Sequence, residues 1–256
     1  MGTRTAYPPG TPCWVDLTTP DMEAAEAFYG DGLGWTVREV VPGAYRYFER
    51  DGAVAAGLSP LNDEQRAGGM PPSWSMYVRV ADVDVEAVRA AELGGTTAVA
   101  PLSIEGAGRM AAVGDPGGGI VLLWEPGGFE GAEVVNEVGA WCWDDLQTTT
   151  PETAAPFYEA LFGWTVAPVP GADGAYFSIA HAGRPIGGIM RASRGITVLH
   201  WAVYFGTANL EASLQATATA GGRTLVEPVT VPSGRFAVAT DPQGAAFCLV
   251  EGDYDD

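Results

Sequence analysis

Basic residues are scarce: 13 Lys plus Arg stand against 32 Asp plus Glu in 256 residues, a formal charge of -19. Nucleic-acid backbones are gripped by clustered Lys and Arg, so this balance argues against such a partner. No apolar run approaches about 18 residues, and residues 1–12 lack the apolar segment that a secretory signal needs. The expected location is therefore cytoplasmic, with no membrane partner. Cysteine is limited to Cys13, Cys142 and Cys248, which form neither a disulfide framework nor a CxxC pair. They are expected to act as small buried hydrophobes. A catalytic thiolate would need a base, and the only histidines are His181 and His200.

What the chain has in abundance is repetition. Cys13-Trp14-Val15-Asp16-Leu17 returns 129 residues later as Cys142-Trp143-Asp144-Asp145-Leu146. At the same offset Phe28-Tyr29 and Gly34-Trp35 become Phe157-Tyr158 and Gly163-Trp164. Trp74 and Tyr77 match Trp201 and Tyr204 at an offset of 127, and Gly108-Arg109, Asp115-Pro116 and Glu125 match Gly234-Arg235, Asp241-Pro242 and Glu251 at 126. The slips fall in loops, as a duplication requires. An apolar content of 47% fills two sizeable cores. The expected organisation is a first domain at 8–126, a glycine- and glutamate-rich linker at 127–137, and a second domain at 138–252.

Each half divides again into units of one strand, one helix and three strands. Residues 11–17 read as strand, and 20–29 as a helix capped by Thr19 with Pro20 in its first position. Strands follow at 35–40, 44–50 and 53–58, with a hairpin turn at Asp51-Gly52. A second unit has a strand at 73–80, a helix at 83–93 closed by Gly94-Gly95, and strands near Thr97, Arg109 and 120–125. The stretches 62–72 and 192–196 read as connectors or cleft rims.

This nested βαβββ pattern resembles the vicinal oxygen chelate superfamily of glyoxalases, bleomycin-resistance proteins and extradiol dioxygenases. The Phe-Tyr before Gly-Trp, and the Asp-Pro-x-Gly turn before an apolar strand ending in Glu, resemble the same superfamily, and the duplicated Trp-x-Asp-Leu with Gly-Trp is similar to its fused two-domain branch. The resemblance implies an α+β fold of four βαβββ units in two tandem domains, a pseudo-dimer. It also implies metal-ligand positions, and these fall on Trp14 and Trp143, on Ser75 and Ala202, and on Leu122 and Cys248. None of the six is a His or a carboxylate, so no metal and no other cofactor is expected. His200 opens the right strand, two residues ahead of the ligand position, and reads more readily as a strand-end hydrogen-bonding group. His181 reads as a solvated turn histidine, and Glu125 and Glu251 as structural strand-end charges.

An indole where the family places a ligand offers a flat surface for stacking. Trp14 and Asp16 share a strand face by alternation, as do Trp143 and Asp145 and, elsewhere, Tyr45 and Tyr47. The candidate ligand-binding set is Trp14, Trp143, Tyr45, Tyr47, Trp74, Met76, Tyr77, Tyr176, Trp201 and Tyr204. Asp16, Asp145 and His200 are the catalytic candidates, because a carboxylate beside an indole in an apolar cleft has a raised pKa. The alternative for Asp16 and Asp145 is framework, with Arg109 and Arg235 as hydrogen-bond donors. The expected function is metal-free binding of a planar aromatic natural product, for self-resistance or biosynthesis, by a monomer or homodimer. The alternatives are a metal-independent isomerase, cyclase or hydroxylation-coupled enzyme, and a metal-dependent lyase or dioxygenase. One principal site is expected, in either half.

Overall fold

The computed structural model describes residues 3–192 and 200–254. In the first half the chain runs β1 (Pro12–Thr19), α1 (Met22–Leu33), β2 (Thr36–Val41), β3 (Tyr45–Arg50), β4 (Ala53–Pro60) and a short α2 (Asp63–Ala67). It continues through β5 (Ser73–Arg79), α3 (Val83–Glu92), β6 (Thr96–Ile104), β7 (Gly108–Gly114) and β8 (Ile120–Pro126). The second half repeats the order. Its elements are β9 (Trp141–Thr148), α4 (Pro151–Phe162), β10 (Thr165–Pro168), β11 (Tyr176–His181), β12 (Arg184–Arg191), β13 (His200–Gly206), α5 (Leu210–Thr219), β14 (Arg223–Val231), β15 (Gly234–Thr240) and β16 (Ala246–Gly252).

Two eight-stranded mixed sheets result, ordered β2-β3-β4-β1-β5-β8-β7-β6 and β10-β11-β12-β9-β13-β16-β15-β14. This is the α+β architecture of four βαβββ units that the repeat implies. In each sheet the first strands of its two units pair antiparallel, β1 with β5 and β9 with β13. The Asp51-Gly52 turn has φ of 50° and 84°, the left-handed pair that a tight hairpin demands.

Helix α1 starts later than Pro20 suggests. Asp21 is its cap, accepting the Ala24 amide at 3.0 Å, and Pro20 stays outside. A carboxylate within reach of the first-turn amides outcompetes the Thr19 hydroxyl for that role. The helix then runs through Gly30 and Gly32 to a left-handed Gly34.

The strand pleat separates two faces. Trp74, Met76 and Val78 of β5, and Trp201, Val203 and Phe205 of β13, point into a core that both halves share. Trp74 lies edge-on to Tyr29 at 5.3 Å and to Phe205 of the other half at 4.9 Å. Polar tips close this core reciprocally. Tyr29 donates to Asp241, and Tyr158 donates to Asp115, each bond crossing between halves. The indoles of Trp35 and Trp164 likewise donate to the carbonyls of Gly139 and Gly10. Glu125 and Glu251 accept the first amides of α3 and α5, at Val83 and Leu210, as structural strand-end charges. No helix among the described residues is long and apolar enough to cross a membrane.

Candidate functional site

On the opposite sheet face each half builds the same constellation from three corresponding strands. In the first, Tyr77 of β5 donates to Asp16 of β1 at 2.8 Å and Tyr45 of β3 at 3.3 Å, while the Trp14 indole donates to Tyr45 at 3.1 Å. In the second, Tyr204 of β13 and Tyr176 of β11 donate to Asp145 of β9 at 2.7 and 2.8 Å. There the Trp143 indole is shared between Asp145 at 3.0 Å and Tyr176 at 3.3 Å. Both carboxyls are buried. Gly57 and Gly188 make the geometry possible, since a Cβ at either would strike the Tyr45 or Tyr176 phenol and the adjacent Asp.

Burial is the main electrostatic influence. It lifts Asp16 from its ordinary 3.8 to about 6, against the opposing hydrogen bonds of Tyr77 and Tyr45. Asp145 is raised for the same reason, with Tyr204, Tyr176 and Trp143 pulling the other way. The tyrosines are pushed above their usual range by burial and then by the neighbouring carboxylate, so they hold their protons. A pH dependence follows. Between pH 3.8 and about 6 the native state keeps a proton on Asp16 that the unfolded chain has released. Stability therefore falls as pH rises through that window, by about 3 kcal/mol at most from this group. Asp16→Asn should gain on the wild type by up to that amount between acid and neutral pH in chemical denaturation. Parallel stability curves for the two proteins would remove this assignment.

The halves part company in what covers the constellation. In the first, Phe129 of the linker lies stacked on Tyr47 at 5.1 Å and edge-on to Trp14 at 4.8 Å. Trp124 of β8 flanks it at 6.2 Å and donates its indole proton to the Phe129 carbonyl. The register that sets Tyr47 opposite Gly57 sets Ser178 opposite Gly188. Trp124 corresponds in the same way to Val250. Two rings are thus replaced by small side chains, and Tyr254, the aromatic that follows β16, is tied to the carbonyls of Thr207 and Val250. The second cleft stays open as a cavity of about 940 Å³. Its wall combines the Trp143, Asp145, Tyr176 and Tyr204 constellation with Phe236, Val250 and the amino-terminal segment from Arg4 to Pro8. A small apolar cluster around Tyr204, Ala202 and Cys248 remains separate from the main core.

Several expected residues lie elsewhere. Trp74, Met76 and Trp201 belong to the shared core, because their parity along β5 and β13 is opposite to that of Tyr77 and Tyr204. Arg109 and Arg235 pair with Asp84 and Glu211 on helices α3 and α5 and leave Asp16 and Asp145 to tyrosine donors. His181 is no free turn histidine: its Nε2 lies 3.0 Å from the Pro9 carbonyl oxygen. The backbone of His200 sits opposite Gln147, and its side chain lies outside the described residues, as do residues 193–199 of the expected second connector. The sequence reading missed Phe129, Phe236, Val250, Trp141 and the amino-terminal segment. It also missed Asp144, a buried carboxyl where the first half has Val15. One of its oxygens takes the Trp141 indole proton and the other has no partner. Aligning β8 with β16 would have exposed the Trp124 and Val250 difference.

Residues 13–122 match the family described as Glyoxalase/Bleomycin resistance protein/Dioxygenase superfamily, and residues 140–250 match the Glyoxalase-like domain. The chain belongs to this superfamily. It is 38% identical over 257 residues, 98% of each chain, to the protein named "Putative glyoxylase CFP32" of Mycobacterium tuberculosis (strain CDC 1551 / Oshkosh). It is 35% identical over 265 residues, 96% of this chain and 95% of the other, to anthracycline biosynthesis protein DauV of Streptomyces sp. (strain C5). The Mn(II)-bound glyoxalase from Novosphingobium aromaticivorans shares the fold, with a TM-score of 0.66 at 14% identity over all of this chain and 86% of that one.

The six positions that the resemblance marks for metal ligands carry two indoles, a serine, an alanine, a leucine and a thiol that burial keeps protonated. No group of three or more His, Cys, Asp or Glu among the described residues could hold an ion. Among the described residues, the donors present do not fit a resident divalent metal.

Proposed function

We propose that this protein binds a planar aromatic small molecule in its second cleft without a metal, one ligand per chain, in the self-resistance or biosynthesis of an aromatic natural product. The observation that carries this reading is the pairing of a plugged cleft with an open one. The first half fills the space above its Trp, Asp and Tyr constellation with the ring of Phe129, stacked on Tyr47 and edge-on to Trp14. Over the same constellation the second half leaves about 940 Å³, a volume suited to a polycyclic ligand. Apolar walls with a few convergent polar groups are what such ligands require. The kinship with proteins named for anthracycline biosynthesis supports a ligand of fused aromatic rings.

Hydroxymethylanthracene, a fused tricyclic probe, should quench the fluorescence of Trp141 and Trp143 and titrate to one equivalent per chain by calorimetry. Trp143→Ala should weaken it about tenfold. Absence of saturable binding, or two equal sites, would refute the reading.

The raised pKa of Asp145 favours a second reading, metal-independent proton transfer to or from the bound ring system. Product formation that disappears in Asp145→Asn while the substrate still binds would select it.

A further inference from the structure

We propose that the second cleft selects aromatic ligands carrying a hydrogen-bond donor, a hydroxyl or an amine, over those presenting an ether or a quinone carbonyl at the same position. The inference rests on the reading of that cleft as an aromatic site and follows from counting its protons. Tyr176 and Tyr204 have one hydroxyl proton each, and both are spent on Asp145. The Trp143 indole proton is spent on Asp145 and Tyr176. Deeper in the wall the Trp141 indole proton goes to Asp144 and the Tyr7 hydroxyl to the Ala132 carbonyl.

What the constellation retains is lone pairs. The Tyr204 hydroxyl also shares a hydrogen bond with the Cys248 thiol, but the Tyr176 oxygen has one site left and Asp145 Oδ2 receives a single bond. Of the other side-chain donors in the cavity wall, Arg184, Arg191 and Ser233 are exposed at the rim, while Arg4, Thr11, Asn136 and His181 are half-buried and stand outside the constellation. A ligand hydroxyl turned toward Tyr176 and Asp145 therefore completes the network. An ether or quinone oxygen in its place sets lone pair against lone pair and leaves buried acceptors desolvated. Two forms of one ring system that differ only in donating or accepting, a hydroquinone and its quinone, are told apart on the same ground.

Hydroxymethylanthracene and its methyl ether separate the possibilities, since they share ring system and shape and differ in one donor proton. Calorimetry on the full chain should give the alcohol an affinity roughly tenfold above the ether. In Asp145→Asn the side-chain amide donates to one tyrosine oxygen and frees that hydroxyl proton for the cavity, so the ratio should fall to one or invert. Tyr204→Phe instead bares Asp145 Oδ2 and should keep the preference for the alcohol, which guards against a variant that is merely damaged. Equal affinities in the wild type, or an undiminished ratio in Asp145→Asn, overturn the donor rule and leave the aromatic site standing. Binding of neither compound overturns both.

Discussion

Combining Val250→Trp with Ser178→Tyr should abolish ligand binding, by at least about a hundredfold, in a protein that still folds. Each substitution writes the first half's residue into the second: Trp124 stands where Val250 does, and Tyr47 where Ser178 does. The first half shows that both rings are accommodated over an intact Trp, Asp and Tyr constellation, with Tyr47 edge-on to Trp14 at 5.7 Å and Trp124 edge-on to Tyr77 at 6.3 Å. Volume is being added to an existing void, so the overpacking that penalises small-to-large changes in a filled core does not arise. Binding is read by calorimetry and folding by thermal melting. Wild-type affinity in the double variant would show that the ligand sits outside this cleft.

Trp74→Ala should cost about 3–5 kcal/mol and should weaken both halves at once. The indole is buried against Tyr29, Trp35 and Phe205, and the last of these belongs to the other half. Its Nε1 donates to the Tyr29 hydroxyl, which in turn donates to Asp241 across the pseudo-twofold. Removing the ring therefore leaves a cavity and unseats a hydrogen bond that joins the halves. Because that core is common property, denaturation of the variant should remain one transition at lower denaturant, with near- and far-ultraviolet dichroism coincident. Two separated transitions, or a loss below about 1 kcal/mol, would show that the halves are energetically independent.

The repeat made the architecture legible, because strand periodicity, turn residues and the duplicated motifs all point the same way. It also put Trp14, Asp16, Tyr45 and Tyr77, and their counterparts Trp143, Asp145, Tyr176 and Tyr204, among the candidates that the fold gathers into one constellation per half. Trp74 and Trp201 stand in the same candidate set as Tyr77 and Tyr204, although an odd separation along a strand sends them to opposite faces. Parity alone was enough to divide them. The plug was a different matter. Phe129 sits in a glycine-rich linker without periodicity, and nothing local says that its ring turns back over Tyr47. The openness of the second cleft arises from two rings absent at Ser178 and Val250, and such absences matter only once the register is known.

Covalent fusion gives Phe129 a further significance. Two identical chains about a twofold axis present every side chain twice, so any segment that closes one cleft of a homodimer closes both. A linker between fused copies exists once, and its ring can occupy only one of two otherwise matching sites. Joining the copies thus broke the symmetry that a dimer enforces. One copy has its constellation covered by that ring, and the other keeps an open cavity over the same residues.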